Sequence, residues 1–148
     1  MDAMSGRPHP EHRAAYKTFR EITTRWMDND VYGHVNNVVY CSYFDTPVNQ
    51  YLIDVGYLDL SSSKVIGLVV ETQCSYLNSI VFPDRVTAGI RVGKIGTSSV
   101  CYEIGLFRNS DESASAQGYF THVYVDRVGK RPVPLPEALR HALLPLQT

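Results

Sequence analysis

One helical stripe followed by four β-branched runs limits what this chain can build. Apolar side chains recur at Val39, Tyr43 and Phe44, then at Val48, Tyr51, Leu52 and Val55. Intervals of three and four residues mark one face of a helix. Asn36 or Asn37 supplies an N-cap and Gly56 a stop. Pro47 lies inside the stripe, and its ring removes one backbone hydrogen bond, so a kink or a two-piece helix is expected.

Ahead of that helix, Phe19 to Trp26 reads as a first strand. Beyond Ser63 the runs KVIGLVVETQCSYL, DRVTAGIRVGKIG, SSVCYEIGLFRN and AQGYFTHVYVDR are bounded by Gly, Pro, Ser, Asn or Asp. In the second run Val86, Ala88, Ile90 and Val92 face one way, and Thr87, Gly89, Arg91 and Gly93 the other. Such alternation fits a sheet with one face covered. SDESAS is a polar hairpin loop, RPVPLP ends the sheet, and PEALRHALLPL reads as a short terminal helix with Pro136 near its start. The expected class is α+β, with a long helix lying across the concave side of a curved antiparallel sheet.

At 148 residues the chain suits one domain with a real core. Residues 1–16 read as a flexible leader and 17–148 as the domain. An apolar fraction of 44% and a charged fraction of 20% are ordinary for a globular protein. A net charge of -1, with no Lys/Arg cluster, gives no footprint for nucleic acid. No apolar run reaches membrane-spanning length and no signal peptide is visible, so a cytoplasmic protein is expected. Cys41, Cys74 and Cys101 are odd in number, widely spaced and without a CxxC, and fit free thiols in a reducing compartment.

The stretch DNDVYGHVNN, residues 28–37, crowds polar groups just ahead of the helix. Asp28, Asp30 and Gly33 match three positions of a calcium loop, but Tyr32 and Val39 stand where further oxygen ligands are needed, so no metal is expected. A tight strand-to-helix turn would explain Gly33, Asn36 and Asn37. It explains less well two acids interleaved with Val31, Tyr32, His34 and Val35. A reaction centre uses the same geometry: exposed N–H groups at a helix start stabilise an oxyanion, and a nearby carboxylate acts as nucleophile or base. The residues alone leave these last two readings open.

The pattern Arg25-x-x-Asp28-x-Asp30-x-x-Gly33-His34-Val35-Asn36-Asn37-x-x-Tyr40, with Tyr43-Phe44 after it, resembles the 4-hydroxybenzoyl-CoA thioesterase family of hotdog-fold enzymes. The similarity runs from about Thr18 to Pro136. It implies an acyl-CoA thioesterase without a cofactor, with Asp30 as catalytic carboxylate and backbone N–H groups around Val35 to Asn37 as oxyanion donors. Asp28 would orient the loop, Gly33 would let the backbone approach the thioester, and His34 would hold the turn or shape the pocket. Tyr40 and Phe44 would contact substrate, and Arg91, Lys94 and Arg131 would meet CoA if they gather at the pocket mouth. A homodimer joined sheet edge to sheet edge, or a homotetramer, is implied as well. The chain departs from the family at Asp45-Thr46-Pro47, where a Glu followed soon by an Arg is usual. A non-catalytic acyl-CoA binder is the first alternative. A dehydratase pairing Asp30 with His34 is the second.

Overall fold

The apolar stripe forms α1 (Tyr40–Asp54), and the computed structural model, which describes residues 8–59 and 61–148, lays it on a five-stranded antiparallel sheet. The strands are β1 (Thr18–Thr23), β2 (Val65–Tyr76), β3 (Arg85–Ile95), β4 (Ser99–Arg108) and β5 (Ala116–Asp126). Their order across the sheet is β1-β3-β4-β5-β2. A second helix, α2 (Glu137–Leu143), follows the sheet. This is the α+β hotdog arrangement the chain was expected to adopt.

Alternation along the strands builds the core. Val86, Ala88, Ile90 and Val92 of β3 and Val100, Tyr102, Ile104 and Leu106 of β4 are fully buried on the concave face. Tyr43, Phe44, Val48 and Leu52 of α1 pack into the same cluster, as do Leu139 and Leu143 of α2. Each such side chain withdrawn from water contributes about 1.5–3 kcal/mol, which fixes the helix to the sheet more strongly than its own propensity does.

Helix α1 is a single element despite Pro47, which is buried. Packing of the apolar face holds the two halves together where a free helix would divide. Gly56 has φ +83°, the left-handed value that ends helices. The first strand is shorter than expected. It ends at Thr23, because Thr24 donates to the Asp84 carbonyl and Trp26–Asp28 then coils into a 3₁₀ turn. Pairing irregularities between Val69 and Glu71, and between Val92 and Lys94, interrupt two ladders. Bulges of this kind bend a strand, which suits a sheet that wraps a helix.

Only part of the leader expected over residues 1–16 is described. Residues 1–7 lie outside the described residues, while Pro8–Tyr16 is anchored on the outer face of the sheet. Glu11 N–H donates to Gln117 Oε1 at 2.7 Å, Arg13 donates to the carbonyls of Asp111 and Asn109, and Tyr16 is buried. Gly89 and Gly105 make room for the Tyr16 ring: a Cβ on Gly105 would stand 2.5 Å from its Cε2. Gly105→Val is therefore expected to expel Tyr16 and destabilise the protein by about 1–3 kcal/mol. Urea denaturation, together with faster tryptic cleavage after Arg13, checks this.

Strand β2 pairs with β5 on one side only. Its Leu68, Val69 and Val70 are exposed. No helix among the described residues is long and apolar enough to cross a membrane.

Candidate active site

The motif 28–37 folds into a loop closed on itself and then into a helix start. Asp30 accepts from Gly33 N–H through its carbonyl at 3.1 Å, forming a four-residue turn, and its Oδ1 accepts from Tyr32 N–H at 2.8 Å. Asp30 N–H donates to the His34 carbonyl at 3.0 Å. Gly33 has φ +89°, with open space where a Cβ would stand, so the turn's conformation and not a crowded neighbour requires glycine here. Asn36 caps the next segment, its Oδ1 accepting from Val38 N–H at 3.2 Å. The 3₁₀ turn Asn37–Val39 then runs into α1.

The two acids of the motif have opposite environments. Asp28 is 1% exposed and takes hydrogen bonds from Tyr43 Oη at 2.6 Å, Arg25 N–H at 3.0 Å and the Arg25 guanidinium at 2.9 and 3.1 Å. Burial pushes its carboxyl pKa up, but the hydrogen bonds from Tyr43 and Arg25 and the charge of Arg25 outweigh this and hold it below the ordinary value. Asp28 is thus the anchor of the loop. Asp30 is only partly buried, and its Oδ2 has no hydrogen-bond partner among the described residues.

Asp28→Ala leaves the buried Tyr43 hydroxyl and the Arg25 N–H without their acceptor, and is expected to cost about 3 kcal/mol. Because the folded pKa is depressed, the stabilisation from Asp28 is fully present above the unfolded value near 3.8. It disappears as pH falls through the lower folded value. The variant should therefore lose stability at neutral pH and lose less than the parent on acidification, which denaturation across pH measures.

Of the proposed oxyanion donors, two are occupied. Val35 N–H donates to the Ile80 carbonyl at 2.7 Å, and Asn36 N–H to the Asp28 carbonyl at 2.8 Å. Asn37 N–H, at the first position of the 3₁₀ turn, has no partner among the described residues. Of the three N–H groups, that of Asn37 alone is open to an acceptor among the described residues, as the first N–H groups of a helix are unless capped.

Asp30, His34, Val35, Asn37 and Tyr40 line one cleft of about 400 Å³, whose other wall is Tyr76 to Ser79 at the end of β2. Tyr40 is buried there, its ring 5.0 Å from that of Tyr76 and edge-on to it, and burial raises its hydroxyl pKa to about 12. The Tyr76 hydroxyl donates to the Asn37 carbonyl at 3.3 Å, tying the strand end to the helix start. A second hollow, of about 730 Å³, joins Asp30, Gly33, Asn36 and Asn37 to the exposed Trp26, Met27 and Tyr32. The His34 ring is exposed on the cleft wall, while its carbonyl holds the Asp30 turn.

Other expected contacts are not brought to this cleft within one chain. Phe44 is 1% exposed in the core and does not reach it. Arg91 is on the outer face, bonded to Glu103 at 2.6 Å and Glu11 at 2.9 Å and lying over the Tyr16 ring. It has no charge to spare for a phosphate. Lys94 lies nine residues beyond Arg85, about 30 Å along β3, at the end of the sheet away from the cleft. Arg131 follows β5 at that same far end, its carbonyl accepting from Asp126 N–H. The bond from Tyr43 to Asp28 and the place of residues 76–79 in the cleft wall were not read from the sequence, since a tyrosine on an apolar stripe reads as core and a strand end carries no motif.

A long helix laid on a curved five-stranded antiparallel sheet, with a cleft at the helix start, is the architecture of a hotdog domain. The chain belongs to the thioesterase-like superfamily, whose sequence pattern matches residues 24–143. The PA5185 protein of Pseudomonas aeruginosa strain PAO1 is 50% identical, with 95% of this chain and 98% of that one covered, at a TM-score of 0.91. A thioesterase of Thermus thermophilus, crystallised with coenzyme A and zinc, is 32% identical over 88% of this chain and 94% of that one, at a TM-score of 0.74. The uncharacterized protein YsmA of Bacillus subtilis strain 168 is 23% identical over 93 residues, which are 63% of this chain, and the match spans 63% of the length of that relative.

Proposed function

We propose that the protein is an acyl-CoA thioesterase whose catalytic carboxylate is Asp30 and whose oxyanion donor is the Asn37 N–H. The observation that carries this reading is a pair of groups without partners among the described residues, on two residues that line one cleft: Asp30 Oδ2, an acceptor, and Asn37 N–H, a donor. A thioester carbonyl held by the N–H is polarised, and its carbon is open to attack by Asp30 or by a water from which Asp30 takes a proton. Negative charge then develops on the carbonyl oxygen beside the helix start. Collapse breaks the C–S bond, and the CoA thiolate leaves and is protonated. If Asp30 itself attacked, water hydrolyses the mixed anhydride in a second step.

Membership of a thioesterase-like superfamily and likeness to a relative crystallised with coenzyme A support the substrate class. The resemblance of Asp28 to Asn37 to the 4-hydroxybenzoyl-CoA thioesterase signature supports that branch in our reading. The reading includes a homodimer formed through the open edge of β2, whose exposed Leu68, Val69 and Val70 would otherwise offer an unpaired apolar strand to water. In that assembly Lys94 and Arg131, at the end of the sheet away from their own cleft, would be offered to a CoA phosphate at the partner's cleft. The free thiols Cys41, Cys74 and Cys101 fit a cytoplasmic setting.

Thiol release from a panel of short, long and aromatic acyl-CoA thioesters tests the proposal. Turnover of at least one class is the expected result. Tight binding of CoA thioesters without turnover of any would overturn it in favour of an acyl-CoA binder.

A further inference from the structure

The concave face holds a second polar cluster that the chemistry at Asp30 does not use. His122 of β5 is 5% exposed, and its ring lies 5.5, 5.0 and 5.7 Å from those of Tyr102, Phe120 and Tyr124. Its Nδ1 is 3.4 Å from the Tyr124 hydroxyl, which shares a 2.6 Å hydrogen bond with the Tyr102 hydroxyl. Its Nε2 faces Asp45 Oδ1 across 3.7 Å. Asp45 projects from α1 half-exposed, with its other oxygen held by Asn49 Nδ2 at 3.1 Å.

An imidazole in an aromatic box is costly unless its nitrogens find partners. Tyr124 meets one of them. The other is separated from Asp45 by more than a hydrogen-bond length. An acceptor held in place by Asn49 and a ring nitrogen therefore stand side by side without satisfying each other. Next to them is a cavity of about 160 Å³ lined by Asn49, Leu52, Tyr57, Gly67, His122 and Tyr124. Gly67 keeps the ring's place free, since a Cβ there would stand 2.5 Å from His122 Nδ1. A cavity of about 150 Å³ is large enough for a benzene ring, so this space, which Arg127 also lines, has the size for the end of an acyl group that carries a polar atom.

We propose that Asp45 and His122 form a specificity site that recognises a hydroxyl on the acyl part of the substrate. A hydroxyl is the group that fits: it donates to Asp45 Oδ1 and accepts from His122 Nε2–H, with Tyr124 serving Nδ1. A plain alkyl end would strip water from Asp45 and return no hydrogen bond. Asp45 lies eight residues along the helix from Asn37, about 12 Å, so the hydroxyl belongs on the order of 10 Å from the thioester carbonyl. This inference rests on the thioesterase reading and adds the substrate's distal chemistry to it.

Matched CoA thioesters with and without the hydroxyl test it: 8-hydroxyoctanoyl against octanoyl, and 4-hydroxyphenylacetyl against phenylacetyl. The parent protein is expected to favour a hydroxylated member at least about tenfold in kcat/KM, and Asp45→Ala to bring that ratio close to one. If Asp45→Ala does not fold, as circular dichroism would report, the isosteric Asp45→Asn takes its place and should lower the ratio severalfold. Calorimetric affinities for the same pairs separate the two ideas. Binding with the hydroxyl preference but no hydrolysis strikes the thioesterase reading and leaves the specificity site standing. Hydrolysis or binding of both members alike, or a preference that survives in a folded Asp45 variant, overturns the specificity site.

Discussion

An Asp30→Asn protein is expected to fold like the parent and to lose about 10³-fold in kcat for any acyl-CoA thioester the parent hydrolyses. The substitution is discriminating because of what each carboxylate oxygen does. Oδ1 accepts from Tyr32 N–H at 2.8 Å and so holds the turn. An asparagine carbonyl accepts that bond equally well, and asparagine is at home in such turns. The backbone bonds from Gly33 N–H and to the His34 carbonyl are untouched. Only the unpartnered Oδ2 is exchanged for an amide nitrogen, which neither attacks a carbonyl nor takes a proton from water. Single-turnover thiol release, with melting curves of both proteins, measures the outcome. Undiminished turnover in the folded variant would remove Asp30 from the mechanism. The same substitution at Asp28 would have no such clean reading, since there every acceptor position supports the fold.

Much of this architecture could be read from residue spacing. The stripe from Val39 to Val55 marks the helical segment, though not whether Pro47 divides it, and Asn36 and Gly56 mark its limits, because a cap oxygen and a left-handed residue leave local signals. The alternation from Val86 to Val92 gives the covered face of β3 for the same local reason. Properties that depend on distant partners were not legible. Arg91 reads as a strand-end cation, yet Glu11 and Glu103 claim it across 80 and 12 residues of chain. Tyr16 looks like part of a loose leader until two outer-face glycines meet beneath it. His122 and Asp45 are 77 residues apart and carry no motif, and only the β5 register beneath α1 brings them within 3.7 Å. Within the signature itself the residue types left a capped turn and an acid–oxyanion centre both open, and the resemblance alone favoured the second. Which N–H stays free depends on the Ile80 carbonyl, 45 residues beyond Val35.

That free N–H admits a test that leaves every observed hydrogen bond in place. Asn37→Pro is expected to preserve the fold and lower kcat by about 10²–10³-fold. Proline normally breaks a helix by removing an N–H and by crowding the residue before it. Neither cost applies here. Asn37 N–H makes no hydrogen bond among the described residues, and it stands at the first position of the 3₁₀ turn, where proline is favoured. Asn36 has φ -62° and ψ 137°, the extended conformation that a following proline demands. The Asn37 carbonyl, which accepts from Tyr40 N–H and from the Tyr76 hydroxyl, is retained. The ring therefore deletes one donor at the spot where charge is expected to develop. An Asn37→Ala control, which keeps the N–H and removes the side chain, should stay far more active than the proline variant. Equal activities in the two would mean that the oxyanion is held elsewhere, whereas a loss confined to Asn37→Pro with melting behaviour unchanged assigns the donor to the backbone.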